Sequence, residues 1–204
     1  MGFNFTFYYV FETIGILAFA LSGMILAKHK DFDVVGIYSI ACITAFGGGT
    51  LRDVILDSHP VYWINHPEYP AIIFFMTFIF AAIKQVELKE SYLVIPDTIG
   101  LALFTSSGAQ LATELHHPMI IVGILSTMVA TFGGVLRDTL CRKTPTIFKR
   151  NTALYASIAF LGGCLYFILF HYTSLSSWNN VLLTSAFVAF FRIVAIKFKW
   201  KLLL

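Results

Sequence analysis

The chain repeats itself at a fixed offset of 85 residues (98 − 13). Thr13-Ile14-Gly15, Ser22, Gly23, the run Gly48-Gly49-Thr50-Leu51-Arg52-Asp53 and Pro60 recur, without a gap, as Thr98-Ile99-Gly100, Ser107, Gly108, Gly133-Gly134-Val135-Leu136-Arg137-Asp138 and Pro145. In each copy a glycine pair and an Arg-Asp close a long apolar run. Self-similarity on this scale means two copies of one structural unit. Interrupted hydrophobic segments at matching places in two repeats point to a transport site at the repeat interface.

Of the 204 residues, 58% are hydrophobic and 12% charged, which leaves too little polar surface for a soluble domain. The apolar runs are about 18 to 24 residues long, enough to cross a hydrocarbon core of about 30 Å as helix. They are too long and continuous for the alternating strands of an outer-membrane barrel. The fold class expected is an all-α integral membrane protein. The start, Met1-Gly2-Phe3-Asn4-Phe5-Thr6, has no basic region, so the first apolar segment reads as a retained span and not a cleaved signal. A net charge of +3 does not make a nucleic-acid binder, because the basic residues sit in short loops between spans.

Seven helices are expected, over about 7–27, 34–56, 70–86, 93–113, 118–140, 152–171 and 178–197. They form a single transmembrane domain over 1–204, with repeat one about 7–90, repeat two about 92–172 and a seventh helix outside both. One side of the membrane receives Lys28, Lys30, Lys84, Lys89, Arg137, Arg142, Lys143, Lys149, Arg150, Arg192, Lys197, Lys199 and Lys201; the other receives Arg52. The positive-inside rule makes the rich side cytoplasmic, with the N-terminus outside and the C-terminus inside. Three spans per repeat is an odd number, so the second copy enters the membrane in the opposite sense. Two inverted three-helix repeats result, related by a pseudo-two-fold axis in the membrane plane.

Gly47-Gly48-Gly49 lies inside the second span and Gly133-Gly134 inside the fifth. Glycines in a helix cost about 1 kcal/mol each relative to alanine and free the backbone to kink or unwind. Two readings stand: hinges along a hydrated pathway, or close helix packing of the small-residue kind. The doubling, with Arg-Asp attached, favours the pathway.

Glu12 and Asp97 are repeat mates, as are Arg52-Asp53 and Arg137-Asp138. Inversion sets one such group at each end of the protein. Charges at hydrocarbon depth face a cavity or pair with one another. They therefore read either as vestibule and gate charges or as two helix-locking salt bridges, Glu12 with Arg52 and Asp97 with Arg137. Ser22, Thr44, Thr105, Ser106 and Ser107 are candidate pore-lining polar residues, since hydroxyls replace ion hydration; the same groups also bond neighbouring helices. No nucleophile elbow, phosphate loop or metal-ligand spacing occurs, so no catalytic residue, metal or cofactor is expected.

Two tandem three-span repeats, each with Gly-Gly-x-x-Arg-Asp, plus a seventh span resemble the prokaryotic members of the TRIC family of trimeric intracellular cation channels. The first copy is Gly48-Gly49-Thr50-Leu51-Arg52-Asp53 and the second Gly133-Gly134-Val135-Leu136-Arg137-Asp138. The resemblance implies a homotrimer in a bacterial inner membrane, with a pore in every protomer along the two glycine-bearing helices. It also implies potassium as the favoured ion, sodium as a second, and membrane lipid as a partner, with no nucleic acid. Lipid-linked gating in the eukaryotic branch uses a Lys-Glu-Val motif; Thr50-Leu51-Arg52 stands here, so phosphoinositide control is not expected. Some bacterial relatives are described as glycine transporters. A secondary transporter of a small zwitterion is therefore the alternative to a channel, and a non-conducting scaffold the third reading.

Overall fold

The computed structural model describes residues 5–83, 90–149 and 153–200. Among these residues the chain forms seven α-helices and no β-strand. They are α1 (Phe5–His29), α2 (Val34–Ile55), α3 (Glu68–Ala82), α4 (Val94–Glu114), α5 (Met119–Leu140), α6 (Ala156–Tyr172) and α7 (Ser177–Lys197). Lys84, Lys89, Arg150 and Lys201, four of the charges expected on the inner face, and the Met1–Asn4 start lie outside the described residues.

Helix ends repeat as the sequence does. The chain leaves α1 at Asp31 and α4 at His116, both in the left-handed region with φ of 55° and 61°. Phe32 N–H then reaches back to the Ala27 carbonyl, and His117 N–H to that of Ala112, each at 3.1 Å. The ends of α2 and α5 match in the same way. Asp57 and Arg142 have φ of 51° and 52°, while Ser58 N–H bonds the Asp53 carbonyl and Lys143 N–H that of Asp138, both at 2.8 Å. These bonds satisfy carbonyls that a helix end would otherwise leave bare. Side chains other than glycine adopt the left-handed turn at all four places, at a local cost of about 1–2 kcal/mol each. Asp33 starts α2 by accepting from Gly36 N–H at 2.7 Å, a standard N-cap.

Helices α1, α2, α4 and α5 form the centre. α3 lies against α1 and α2, α6 against α4 and α5, and α7 against α4 and α6. α1, α2, α5 and α7 are each long and apolar enough to cross a membrane, whereas α3 and α6 are apolar but shorter. α4 is the polar one, carrying Asp97, Thr98, Thr105, Ser106, Ser107, Gln110 and Thr113, all buried. Its neighbours α1, α5, α6 and α7 shield that polarity from lipid, which is the only way such a helix survives at membrane depth. Lys28, at the end of α1, closes the short α3 by donating to the carbonyls of Phe80 at 2.8 Å and Ile83 at 2.7 Å.

One span starts later than expected. The sixth helix begins at Ala156, not near 152. The carbonyls of Ala153 and Leu154 are held outside the helix by Arg192 of α7, whose Nη1 donates to them at 2.9 and 2.8 Å. Leu154 N–H donates to the Trp200 carbonyl at 3.0 Å.

Candidate functional site

The two glycine-bearing helices cross in backbone contact. A Cβ added at Gly48 would overlap the Val129 carbonyl oxygen, and one at Gly133 would overlap that of Thr44. Thr44 and Val129 are themselves repeat mates, so the crossing of α2 with α5 is symmetric. Both helices run unbroken through it. The unwound backbone expected at Gly47-Gly48-Gly49 and Gly133-Gly134 is thereby corrected. Intact helical hydrogen bonding costs less at this depth than bare carbonyls. What the missing side chains supply is proximity. The other glycines of the repeat act alike: Gly15 takes the Phe104 ring, Gly100 takes the Phe19 ring, and Gly23 and Gly108 let α1 and α4 press against α2 and α5.

On either side of the crossing lies a buried charge cluster. Arg52, 1% exposed, donates through Nη1 to Glu12 Oε1 at 2.8 Å and through Nε to Asp53 Oδ1 at 2.8 Å. Ser107 from the other repeat accepts from Arg52 Nη1 and donates to Glu12 Oε2, the latter at 2.9 Å. In the second cluster Arg137, also 1% exposed, donates to Asp97 Oδ1 at 2.8 Å, Asp138 Oδ1 at 2.9 Å and Ser22 Oγ at 2.6 Å. Each arginine therefore pairs within its own repeat and takes a serine from the opposite one. Breaking such a pair leaves a buried charge uncompensated, at about 3–5 kcal/mol.

The aspartates of the Arg-Asp steps do more than pair. Asp53 Oδ2 accepts from Tyr62 N–H at 2.8 Å, and Asp138 Oδ2 from Thr146 N–H at 3.1 Å. Each carboxylate ties the chain that follows its helix back onto the helix end. Thr146 adds its hydroxyl, which donates to Asp138 Oδ2 at 3.3 Å, while Tyr62 contributes its backbone N–H; the nearness of both to the repeated Pro60 and Pro145 is a further trace in the sequence.

The other polar residues divide. Ser22 and Ser107 join the clusters. Thr44 Oγ1 donates to the Ile40 carbonyl at 2.6 Å on its own helix, beside Gly23. Thr105 bonds the Leu101 carbonyl at 2.7 Å and touches the Gly162 position of α6. Ser106 meets Ser185 of α7 at 2.8 Å. Thr105 and Ser106 thus face α6 and α7 and are not brought to the clusters.

The two ends are alike in charge and burial and differ in the aromatic groups beside them. The Glu12–Arg52 cluster borders a small cavity, with room for about one water molecule, lined by Glu12, Ile16, Phe46, Gly49, Tyr62 and Trp63, among others, with the Phe46 and Trp63 rings stacked at 4.9 Å. At the Asp97–Arg137 cluster the Tyr155 hydroxyl bonds Asp97, and its buried ring lies under the Arg192 guanidinium, 4.6 Å from carbon to centroid. Tyr155 has no repeat mate of its type, since Pro70 stands 85 positions before it (155 − 70).

Comparison with known proteins places these features in company. A family model described as "Glycine transporter" matches residues 9–85 and again 94–171. The inner membrane protein YadS of Escherichia coli strain K12 is 29% identical over 95% of this chain and 94% of its own. A structure described as giving the basis for conductance through TRIC cation channels superposes with a TM-score of 0.81 at 32% identity, covering 99% of this chain and 97% of that one. The TRIC trimeric intracellular cation channel orthologue from Rhodobacter sphaeroides superposes with a TM-score of 0.83 at 28% identity, covering 94% and 97%.

Proposed function

The chain belongs to the prokaryotic TRIC family, and from that premise we propose that it is a monovalent-cation channel, permeable to potassium and to sodium, with a conduction path inside each protomer. The observation that carries the reading is the pair of arginine–carboxylate–serine clusters, one on each side of the α2–α5 crossing. In this reading Glu12, Arg52 and Asp53 form the outer gate charges, and Asp97, Arg137 and Asp138 the inner ones. Each arginine stands where a permeant cation would sit and satisfies the carboxylates until the ion competes for them. Gly47, Gly48, Gly49, Gly133 and Gly134 give the sliding surface on which α2 and α5 move, with Ser22 and Ser107 bridging the repeats and Thr44 beside the crossing.

The protein acts as one transmembrane unit, repeat one about 7–90 against repeat two about 92–172, with the seventh helix added. The positive-inside count supports an outer N-terminus and a cytoplasmic C-terminus in an inner membrane. The solved relative described as trimeric supports a homotrimer, which in this reading is surrounded by membrane lipid. No catalytic step, cofactor or nucleic acid enters this reading.

A carrier for a small zwitterion such as glycine is the second reading, favoured by the description of the matching family model. Liposomes holding the purified protein decide between them. A channel lets potassium out down its gradient at a rate that does not saturate over the millimolar range. A carrier takes up labelled glycine saturably and leaves potassium inside.

A further inference from the structure

The two ends of the inverted repeat carry different aromatic groups beside their matching glycines. Beside a Cβ built on Gly49 stand the Phe104 ring at 3.6 Å and Glu12 Oε1 at 3.7 Å, and the cavity opens there. Beside one built on Gly134 stand Asp97 Oδ1 at 3.7 Å and Arg137 Nη2 at 3.6 Å, the same charge pattern, but the Tyr155 hydroxyl sits at 3.4 Å. The second copy's counterpart of the cavity carries a phenol. We infer that Tyr155 is the stopper of the Asp97–Arg137 end and that α7, through Arg192, holds it in place.

The holding geometry is specific. Arg192 donates to the carbonyls of Ala153 and Leu154, which fixes the backbone just before Tyr155. Its guanidinium covers the Tyr155 ring, a stacking that a buried cation and an aromatic face both favour. The hydroxyl reaches Asp97, which holds Arg137. An unbroken line of contacts therefore runs from α7 to the second cluster. The first cluster has no such line, because α7 lies outside the repeat and packs on α4 and α6. Tyr155 is a positioning residue: it occupies the approach to Asp97 and steadies the carboxylate against Arg137. The seventh helix thereby makes a symmetric pair of gates unequal: a phenol held by α7 covers the Asp97–Arg137 end, and the Glu12–Arg52 end has no counterpart held in that way.

This inference rests on the conduction reading for its consequence, so its test reads access separately from current. Cys42, Cys141 and Cys164 are replaced by serine and Gly134→Cys is introduced. Membrane vesicles of both orientations are then treated with a membrane-impermeant thiol reagent. With Tyr155 present, labelling is slow from both sides. Tyr155→Ala raises it at least ten-fold from the Asp97–Arg137 side and leaves the other side unchanged. Arg192→Met raises it in the same direction, and the double variant adds little to Tyr155→Ala alone. Tyr155→Phe, which keeps the ring and loses the bond to Asp97, gives a smaller rise and decides the matter where the alanine variant does not elute as a folded oligomer. Equal labelling rates with tyrosine, phenylalanine and alanine at 155 overturn the inference. In bilayer recordings of the same proteins, Tyr155→Ala raises open probability. Currents present but unaltered by it, with unaltered labelling, remove the stopper and leave the channel; altered labelling without any current does the reverse.

Discussion

Phe19 and Phe104 occupy the same position in the two repeats and stack on one another, ring centroids 5.2 Å apart with 24° between the planes. Phe19 sits over Gly100 and Phe104 over Gly15, so each ring fills the side chain that the other repeat omits. The pseudo-two-fold axis passes between them. Such a pair contributes about 0.5–1.5 kcal/mol beyond the area it buries. Phe19→Leu and Phe104→Leu are each expected to lower stability, and the double variant to lose less than the sum by an amount in that range. Thermal unfolding in detergent of the four proteins gives the coupling directly.

The glycines of the crossing separate by what surrounds them. Gly48→Ala and Gly133→Ala push a methyl group into a carbonyl oxygen of the facing helix, and neither backbone can retreat without parting α2 from α5. Each is expected to cost about 1–3 kcal/mol, the range for overpacking a tight core. Gly49→Ala and Gly134→Ala meet their nearest atoms at 3.6 and 3.4 Å and are expected to be near neutral. Melting temperatures that rank the four alike contradict the close-contact account.

Much of this was legible in the sequence. The offset of 85 and the odd number of spans gave the inverted pair, and the pairing of Glu12 with Arg52 and of Asp97 with Arg137 was one of two open readings of the charges. What stayed hidden has physical causes. A glycine pair looks the same whether it frees a hinge or admits a neighbour's backbone, and only the partner helix decides. The loop neighbour of Asp53 is the backbone amide of Tyr62, which leaves no mark in residue type, and that of Asp138 is the amide of Thr146 together with its hydroxyl. Tyr155 has no repeat mate, so the symmetry that exposed the clusters concealed it.

Asp138→Asn tests whether the carboxylate serves ions or the fold. Its two oxygens are taken by Arg137 and by Thr146, and the residue is fully buried. An amide keeps the shape but loses one acceptor and the charge opposite Arg137. A stability loss of about 3–5 kcal/mol is expected, the range for breaking a buried ion pair, with Arg137 left to pair with Asp97 alone. Unfolding in detergent at low and high salt measures it. The loss should be nearly independent of salt, since a buried pair is poorly screened.

Thr184 of α7 is buried, and its hydroxyl has no hydrogen-bond partner among the described residues. Thr184→Val removes that hydroxyl and keeps the volume. It is expected to be neutral or to raise stability by up to about 1 kcal/mol. A marked loss in a melting experiment would show that the hydroxyl is engaged.

Ion passage through the protein is the central claim. Purified oligomer reconstituted in a planar bilayer under a potassium gradient is the direct measurement. Discrete unitary currents that reverse close to the potassium equilibrium potential, and that change amplitude in Glu12→Gln, are the result expected. A bilayer that stays silent with folded trimers present, while the same preparation accumulates glycine saturably in liposomes, contradicts it.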